Sequence, residues 1–379
     1  MKSSRAPKSL SVEPTFGYLF PAIRGVQAGR EYFVSMCPLR LLPKLFQFDN
    51  EELPPEVRAQ RIVNKNRIPE IARYMSENKK DYVFSSLTAS IDGDVKFQSF
   101  GSTGGGVDDR IGILQIPIDA KFIINDGQHR RAAIENTLRD HPELGSESIS
   151  VVLFLDRGLE RCQQMFADLN RHAIRPSQSL GILYDHRDDR AKLTKLVVLK
   201  CPTFAGLVET EKSSLAARSR RLFTLSAIYQ ANAALLTDIQ PKSLEAAADI
   251  AINFWEAVGK AIPEWGLVQT NKITAGEVRE DFIHTHGVVL HAIAIVGNIL
   301  LRDFPKNWKD KIKQLNTLNW SRNNAKLWEG RAMIGGRVSK ASHNVTLTTN
   351  VLKKHLELPL TPEDEKVERA FKRGEYGKQ

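Results

Sequence analysis

The apolar pattern of this chain changes period part-way along, and that change constrains the fold more than any other feature. Up to about residue 155, apolar residues come in short runs of strand length broken by Gly- and Asp-containing turns. Beyond about residue 201 they recur at helical spacing through 215–236, 244–258, 277–301 and 307–315. Strands mixed with helices, followed by helices alone, predict an α+β fold with a mixed sheet and then a mainly α-helical domain. The length of 379 residues suits roughly two to three domains. We place the α+β domain at 16–205 and the helical domain at 206–358. A disordered tail is expected over 1–15 and a charged tail over 359–379.

Local signals give the elements. Residues 16–38 read as a hairpin around Ala28-Gly29-Arg30, and 82–91 with 95–100 as a second hairpin around Asp92-Gly93-Asp94. Residues 56–77 carry a helical stripe through Ile68, Ile71, Ala72 and Met75. Strands are expected at 111–118, 121–125 and 149–155, and helices at 128–140, 159–170 and from Pro176. The glycine run from Gly101 to Gly106 lacks the Lys-Ser/Thr of a phosphate loop, so a hairpin tip outranks a phosphate cradle.

Several function classes drop out. The cysteines, Cys37, Cys162 and Cys201, are widely spaced and form no Cys-x-x-Cys pair. Zinc-ribbon and thioredoxin readings have no support, and packed thiols in a reducing compartment are expected. Residues 1–13 have no apolar core and do not read as a signal peptide. The most apolar run, 288–301, contains His291 and Asn298 and is shorter than the ~20 residues a membrane span needs. A buried helix and a soluble, cytoplasmic protein follow. His284, His286 and His291 lack the i, i+3 or i, i+4 spacing of helical zinc ligands, so no metal is expected.

Charge is unevenly spread. Residues 301–360 hold 12 Lys and Arg against 4 acids, and the last 19 residues sum to zero, so the first 300 carry only +2 of the net +10. The same segment holds Trp308, Trp320 and Trp328, three of five tryptophans. Clustered cations favour a polyanion through phosphate neutralisation. The alternative is a solvated helical surface with core tryptophans. Candidate DNA contacts here are Lys306, Lys309, Lys311, Lys313, Arg322, Arg331 and Arg337. Ser213 and Ser214 can cap a second helix with a basic exposed face; Lys212, Arg218, Arg220 and Arg221 are candidate DNA contacts there, with a solvated face as the alternative.

The strongest local motif is Asp126-Gly127-Gln128-His129-Arg130-Arg131, where an apolar strand turns into a helix. Cations in a first helical turn oppose the helix dipole by about 0.3–1 kcal/mol each. An anion there would reverse the sign, so a phosphate or nucleotide site is one reading. A structural network of His129 and Arg130 with buried carboxylates is the other. Asn170 and Arg171 form a further polar cluster with Asp168 and His172, which by itself reads as a plain helix end.

Asp126-Gly127-Gln128-His129-Arg130 resembles the signature of DGQHR-domain proteins, which are related to the fold shared by ParB and sulfiredoxin. That resemblance implies phosphate contact by a Gly-x-x-Arg turn. More narrowly, stretches 60–74, 124–134, 166–175, 208–228 and 320–352 are similar to the B-protein family of the Dnd DNA phosphorothioation system. This implies DNA binding and repression of the modification operon, with double-stranded promoter DNA as partner. Other Dnd proteins and further copies of the chain are additional expected partners. The resemblance also implies that Asn170 and Arg171 face a nucleotide: Asn170 fits the ParB-like Asn-x-x-Arg segment, but the arginine is adjacent rather than three residues on. The alternative function is an ATP or CTP hydrolase, or a nuclease, using the Gln128–Arg131 turn and a bound nucleotide.

Overall fold

The computed structural model describes residues 17–46, 67–101, 107–155, 164–165, 168–169 and 176–375. The chain divides into two compact units at 174/175. No helix among the described residues is long and apolar enough to cross a membrane.

The first unit is built on a seven-stranded mixed sheet in the order β4-β5-β1-β2-β7-β3-β6. The strands are β1 (Gly17–Gln27), β2 (Arg30–Pro38), β3 (Leu87–Asp92), β4 (Lys96–Ser99), β5 (Ile111–Pro117), β6 (Lys121–Asp126) and β7 (Ser148–Leu155). β1 and β2 form the expected hairpin; Ala28 and Gly29 both take positive φ, 52° and 73°. Two left-handed residues match the strand twist, which explains the Gly. β5 and β7 alternate between buried and partly exposed residues, as strands do with one face on a core.

The second expected hairpin does not form. β3 pairs antiparallel with β6 and parallel with β7, whereas β4 pairs with β5 at the other end of the sheet. This pairing requires a curved sheet. Five inter-strand steps of about 4.8 Å separate β4 from β3 in a flat sheet. The link from Asp92 to Lys96 can span only about 14 Å. The sheet must therefore curl until its ends approach. The ring of Tyr18 on β1 lies 6.4 Å from that of Phe122 on β6, four strands away in the sheet order. Phe33, Leu87, Ala89, Leu114, Ile134 and Val151 are among its buried core residues. Helices α2 (Arg67–Glu77) and α3 (Gln128–Asp140) pack on each other, and α1 is the short turn Leu42–Leu45. The glycine run falls between the paired strands β4 and β5, but 102–106 lie outside the described residues.

The second unit is helical: α4 (Gln178–Tyr184), α5 (Asp189–Lys200), α6 (Leu225–Leu235), α7 (Leu244–Ala261), α8 (Pro263–Gln269), α9 (Ala275–Asp281), α10 (Gly287–Asp303), α11 (Trp308–Lys313), α12 (Ala325–Trp328), α13 (Ser342–His355) and α14 (Pro362–Lys372). The apolar run at 288–301 lies within α10, which is buried on nearly every face and packs on α6 and α13. Gly297 lets Phe254 of α7 approach its backbone; a Cβ there would overlap the ring.

Four sequence expectations change. The division between domains lies at 174/175 rather than near 205, because Ile182, Ala191, Leu193 and Val197 of α4 and α5 join the helical core. The helix expected over 215–236 starts only at Leu225, capped by the Thr224 hydroxyl. The helix expected over 277–301 breaks between Asp281 and Gly287. There Phe282 bridges to Ser321, and Ile283 N–H donates to the Trp320 carbonyl at 3.1 Å. The expected charged tail contains a packed helix, α14, whose Thr361–Asp364 capping box and Arg331–Glu368 pair tie it down.

Candidate functional site

At the end of β6 the chain reverses through Gly127 at φ +104°. A side chain there would be strained and would overlap Leu87, so only glycine serves. α3 then begins at Gln128 with no side-chain cap and no acid in its first turn. Gln128 is buried, and its amide donates back to the carbonyls of Ile124 (3.0 Å) and Asn125 (3.4 Å). Arg130 is mostly buried. Its Nη2 pairs with Asp126 Oδ2 at 2.6 Å. Its Nη1 donates to the carbonyls of Ser85 (2.6 Å) and Ser86 (2.8 Å), and to the Ser85 hydroxyl. Arg131 pairs with Glu135 at 2.7 Å and donates to the Pro43 carbonyl at 3.3 Å. Burial, together with Arg67, lowers the His129 pKa, while Asp126 pulls it up.

The turn is thus a cross-brace. Asp126, four residues before Arg130, and Glu135, four after Arg131, answer the cations that oppose the helix dipole. Asn170 and Arg171 lie outside the described residues; Asp168 accepts a bond from Gln164 at 2.8 Å.

In the basic segment the tryptophans belong to the core. Trp320 and Trp328 are buried and stacked at 5.7 Å, and Trp308 packs at 6.1 Å from Phe254. The cations split into two kinds. Arg331 makes a two-pronged pair with Glu368 (2.6 and 3.0 Å) and lies over the Phe371 ring. Lys311 donates to the Leu356 carbonyl at 3.2 Å, and Lys313 pairs with Asp310 at 3.1 Å. Arg322 donates to the carbonyls of Arg279 (3.3 Å) and Gly336 (3.0 Å). Lys306, Lys309 and Arg337 are exposed, and none of them pairs with a carboxylate among the described residues.

Lys212, Arg218 and Arg220 are also exposed, but not on a helix. The 211–222 segment is irregular because Arg279 captures its carbonyls: those of Ala216 (3.1 Å), Ala217 (2.7 Å), Ser219 (3.1 Å) and Arg221 (2.9 Å). Arg221 itself donates to the Gly206 carbonyl. Sequence reasoning missed Arg279, since Glu-Val-Arg-Glu-Asp reads as an exposed helical turn and nothing local marks its long-range role.

Among the described residues no group of three or more His, Cys, Asp and Glu could hold a metal ion. His284 is fully buried and accepts from Trp265 Nε1 at 3.0 Å. Burial lowers its pKa to about 3. Burial pushes the Cys37 thiol up to about 12, and Cys201 is raised for the same reason; Cys162 lies outside the described residues.

The model of the DndB family, described as DNA-sulfur modification-associated, matches residues 20–359. The chain belongs to the DndB family. No curated protein and no solved structure matches it. The DndB match spans the curled sheet, the cross-braced turn and the helical unit as far as the end of α13, so the association with DNA sulfur modification attaches to both units.

Proposed function

We propose that this DndB-family protein is a DNA-binding regulator that represses the genes of a DNA sulfur-modification system. The observation that carries the reading is the family match, which names DNA as the modified molecule, over a chain whose excess charge sits in residues 301–360. Lys306, Lys309 and Arg337, with Lys212, Arg218 and Arg220, supply exposed cations whose side chains form no salt bridge among the described residues. Such groups neutralise phosphates and release counterions. Arg331, by contrast, is held by Glu368 and serves the fold. Duplex DNA is the expected partner, and further copies of the chain and other modification proteins are compatible ones. Hydrolysis of a bound nucleotide at the Gln128–Arg131 turn would require Arg130 to leave Asp126 and the Ser85–Ser86 carbonyls.

Fluorescence anisotropy with promoter duplex across a salt series tests the reading. Binding should weaken linearly in log affinity against log salt, with a slope of about −0.9 per phosphate contact. Absence of binding at low salt, or a flat salt response, would refute it.

A further inference from the structure

The helical unit contains a cleft of about 640 Å³, lined in part by α9, the start of α10 and the 213–224 segment. Its wall carries three cations, Arg279, Arg322 and Lys340, against one acid, the exposed Glu280. Both arginines donate to backbone carbonyls, which satisfy donors but leave the charge in place. Lys340 is exposed and has no ion pair among the described residues. Like charges gathered beside a low-dielectric wall create a positive potential that attracts an anion.

The start of α10 adds to that potential. This 17-residue helix has no side-chain cap and no acid in its first turn. Its first residue, Gly287, lines the cleft, and a Cβ there would stand 3.1 Å from Lys340 Nζ, which places the ammonium close to the helix start. The dipole and the lysine therefore favour the same ligand charge.

A separate observation points to a missing partner. Thr285 lines the cleft and is only 5% exposed, yet its Oγ1 has no hydrogen bond among the described residues. His286 Nε2, on the next residue, is likewise buried and unpartnered there. Leaving a buried polar atom unpaired is costly, and native proteins rarely keep such atoms without a use. Leu215, Leu222 and Ala227 give the same cleft an apolar portion suited to a sugar or base.

We infer that this cleft binds a small phosphate-bearing ligand of the nucleotide class, with its phosphate at the α10 N-terminus beside Lys340 and Arg322. The volume is in the range of small-molecule sites, about 300–1,000 Å³. A terminal phosphate can approach the deeply buried Thr285 hydroxyl. A backbone phosphate of duplex DNA is flanked on both sides by its neighbours and would stay at the surface. The site does not depend on the DNA-binding reading.

Isothermal titration of the full chain with inorganic phosphate, AMP, ATP and adenosine tests the inference, with duplex anisotropy run on the same samples. Phosphate, AMP and ATP should bind and adenosine should not. Lys340→Glu should weaken AMP binding by about tenfold, and Lys340→Arg should restore most of it. Thr285→Val, which removes only the hydroxyl, should weaken it by about threefold. Lys340 is exposed, so its variants should keep the parent's circular dichroism and melting temperature even if Thr285→Val does not. Failure of AMP and ATP to bind the parent protein would overturn the nucleotide assignment, even if inorganic phosphate binds. Unchanged AMP affinity in Lys340→Glu would overturn the location. Loss of duplex binding in Lys340→Glu, with no AMP heat in the parent, would overturn the small-ligand site in favour of DNA.

Discussion

At the start of α3, Arg130 and Arg131 face Asp126 and Glu135 at 2.6 and 2.7 Å. Near the start of α10, Arg279, Arg322 and Lys340 have no carboxylate within 4 Å among the described residues. Both helices lack a side-chain cap and a first-turn acid, so locally both starts favour an anion. The difference lies in where the counter-charge comes from. At α3 it is built into the chain four residues away, and the cations hold the fold together. At α10 no carboxylate among the described residues pairs with the cations, and their charge is left uncompensated. Counting basic residues near a helix start does not separate these cases; locating their partners does.

The largest expected effect probes the neutralised kind at a buried carboxylate, Glu368. Burial raises the Glu368 pKa, but hydrogen bonds from Arg331 and Lys354 outweigh it and hold the carboxyl at about 2. Glu368→Ala should cost about 3–5 kcal/mol in a urea melt at pH 7, since it strands Arg331. A folded pKa below the unfolded one gives stability that is present above about 4.3 and lost as pH falls toward 2. The variant should lack that acid-side loss. A parent melt that stays flat from pH 5 to pH 2.5 would contradict the pairing.

Arg130→Ala comes next, with an expected loss of about 2–3 kcal/mol for a charged, largely buried group with several acceptors. DNA affinity should not change. If the melt is unaffected while nucleotide affinity falls, the α3 turn is a ligand site and the comparison with α10 collapses.

A third test uses acid sensitivity on the helical side. His284 has a folded pKa of about 3, below the ordinary 6.5. The unfolded chain then binds the extra proton between these values, so stability rises with pH and is lost on falling below about 6.5. Between pH 7 and pH 5 this single group should remove about 2 kcal/mol. His284→Gln should flatten that part of the stability–pH curve, read by urea denaturation. A curve of unchanged slope would count against a neutral buried imidazole.

The smallest effect on stability should come from the open cations. Reversing Lys306, Lys309 and Arg337 to Glu should change stability by no more than about 0.5 kcal/mol per site. The same variant should weaken DNA binding without regard to sequence and lower the salt slope by about one per lost contact. An unchanged slope would move the DNA contact elsewhere, with the Lys212–Arg220 loop as the next candidate.

Much was legible where the deciding forces are local. The hairpin of β1 and β2 followed from a Gly-containing turn, and α3 occupies the expected 128–140 because a strand, a glycine and an apolar stripe adjoin. The pairs Arg130–Asp126 and Arg131–Glu135 were open to sequence too, since each carboxylate lies at i, i+4 spacing, although Asp126 is not the buried carboxylate expected. The family resemblance also rested on that motif, and the DndB match covers it.

Tertiary structure alone decided the rest, and for one physical reason: the partners are far apart in sequence. β3 and β4 read as a hairpin from the turn between them, but they pair with β6 and β7 and with β5 respectively, five strands apart in the sheet order. The 211–222 segment carries helical residues, yet Arg279, some sixty positions on, takes its carbonyls. The α9–α10 break depends on backbone bonds from 281–283 to 320–322. That same pairing carries Arg322 to Arg279, while Lys340 reaches Gly287 from still farther along the chain. Hydrophobic period and capping record what each segment prefers by itself. They contain no term for which distant carbonyl or charge will meet it, and the α10 cleft consists of such meetings.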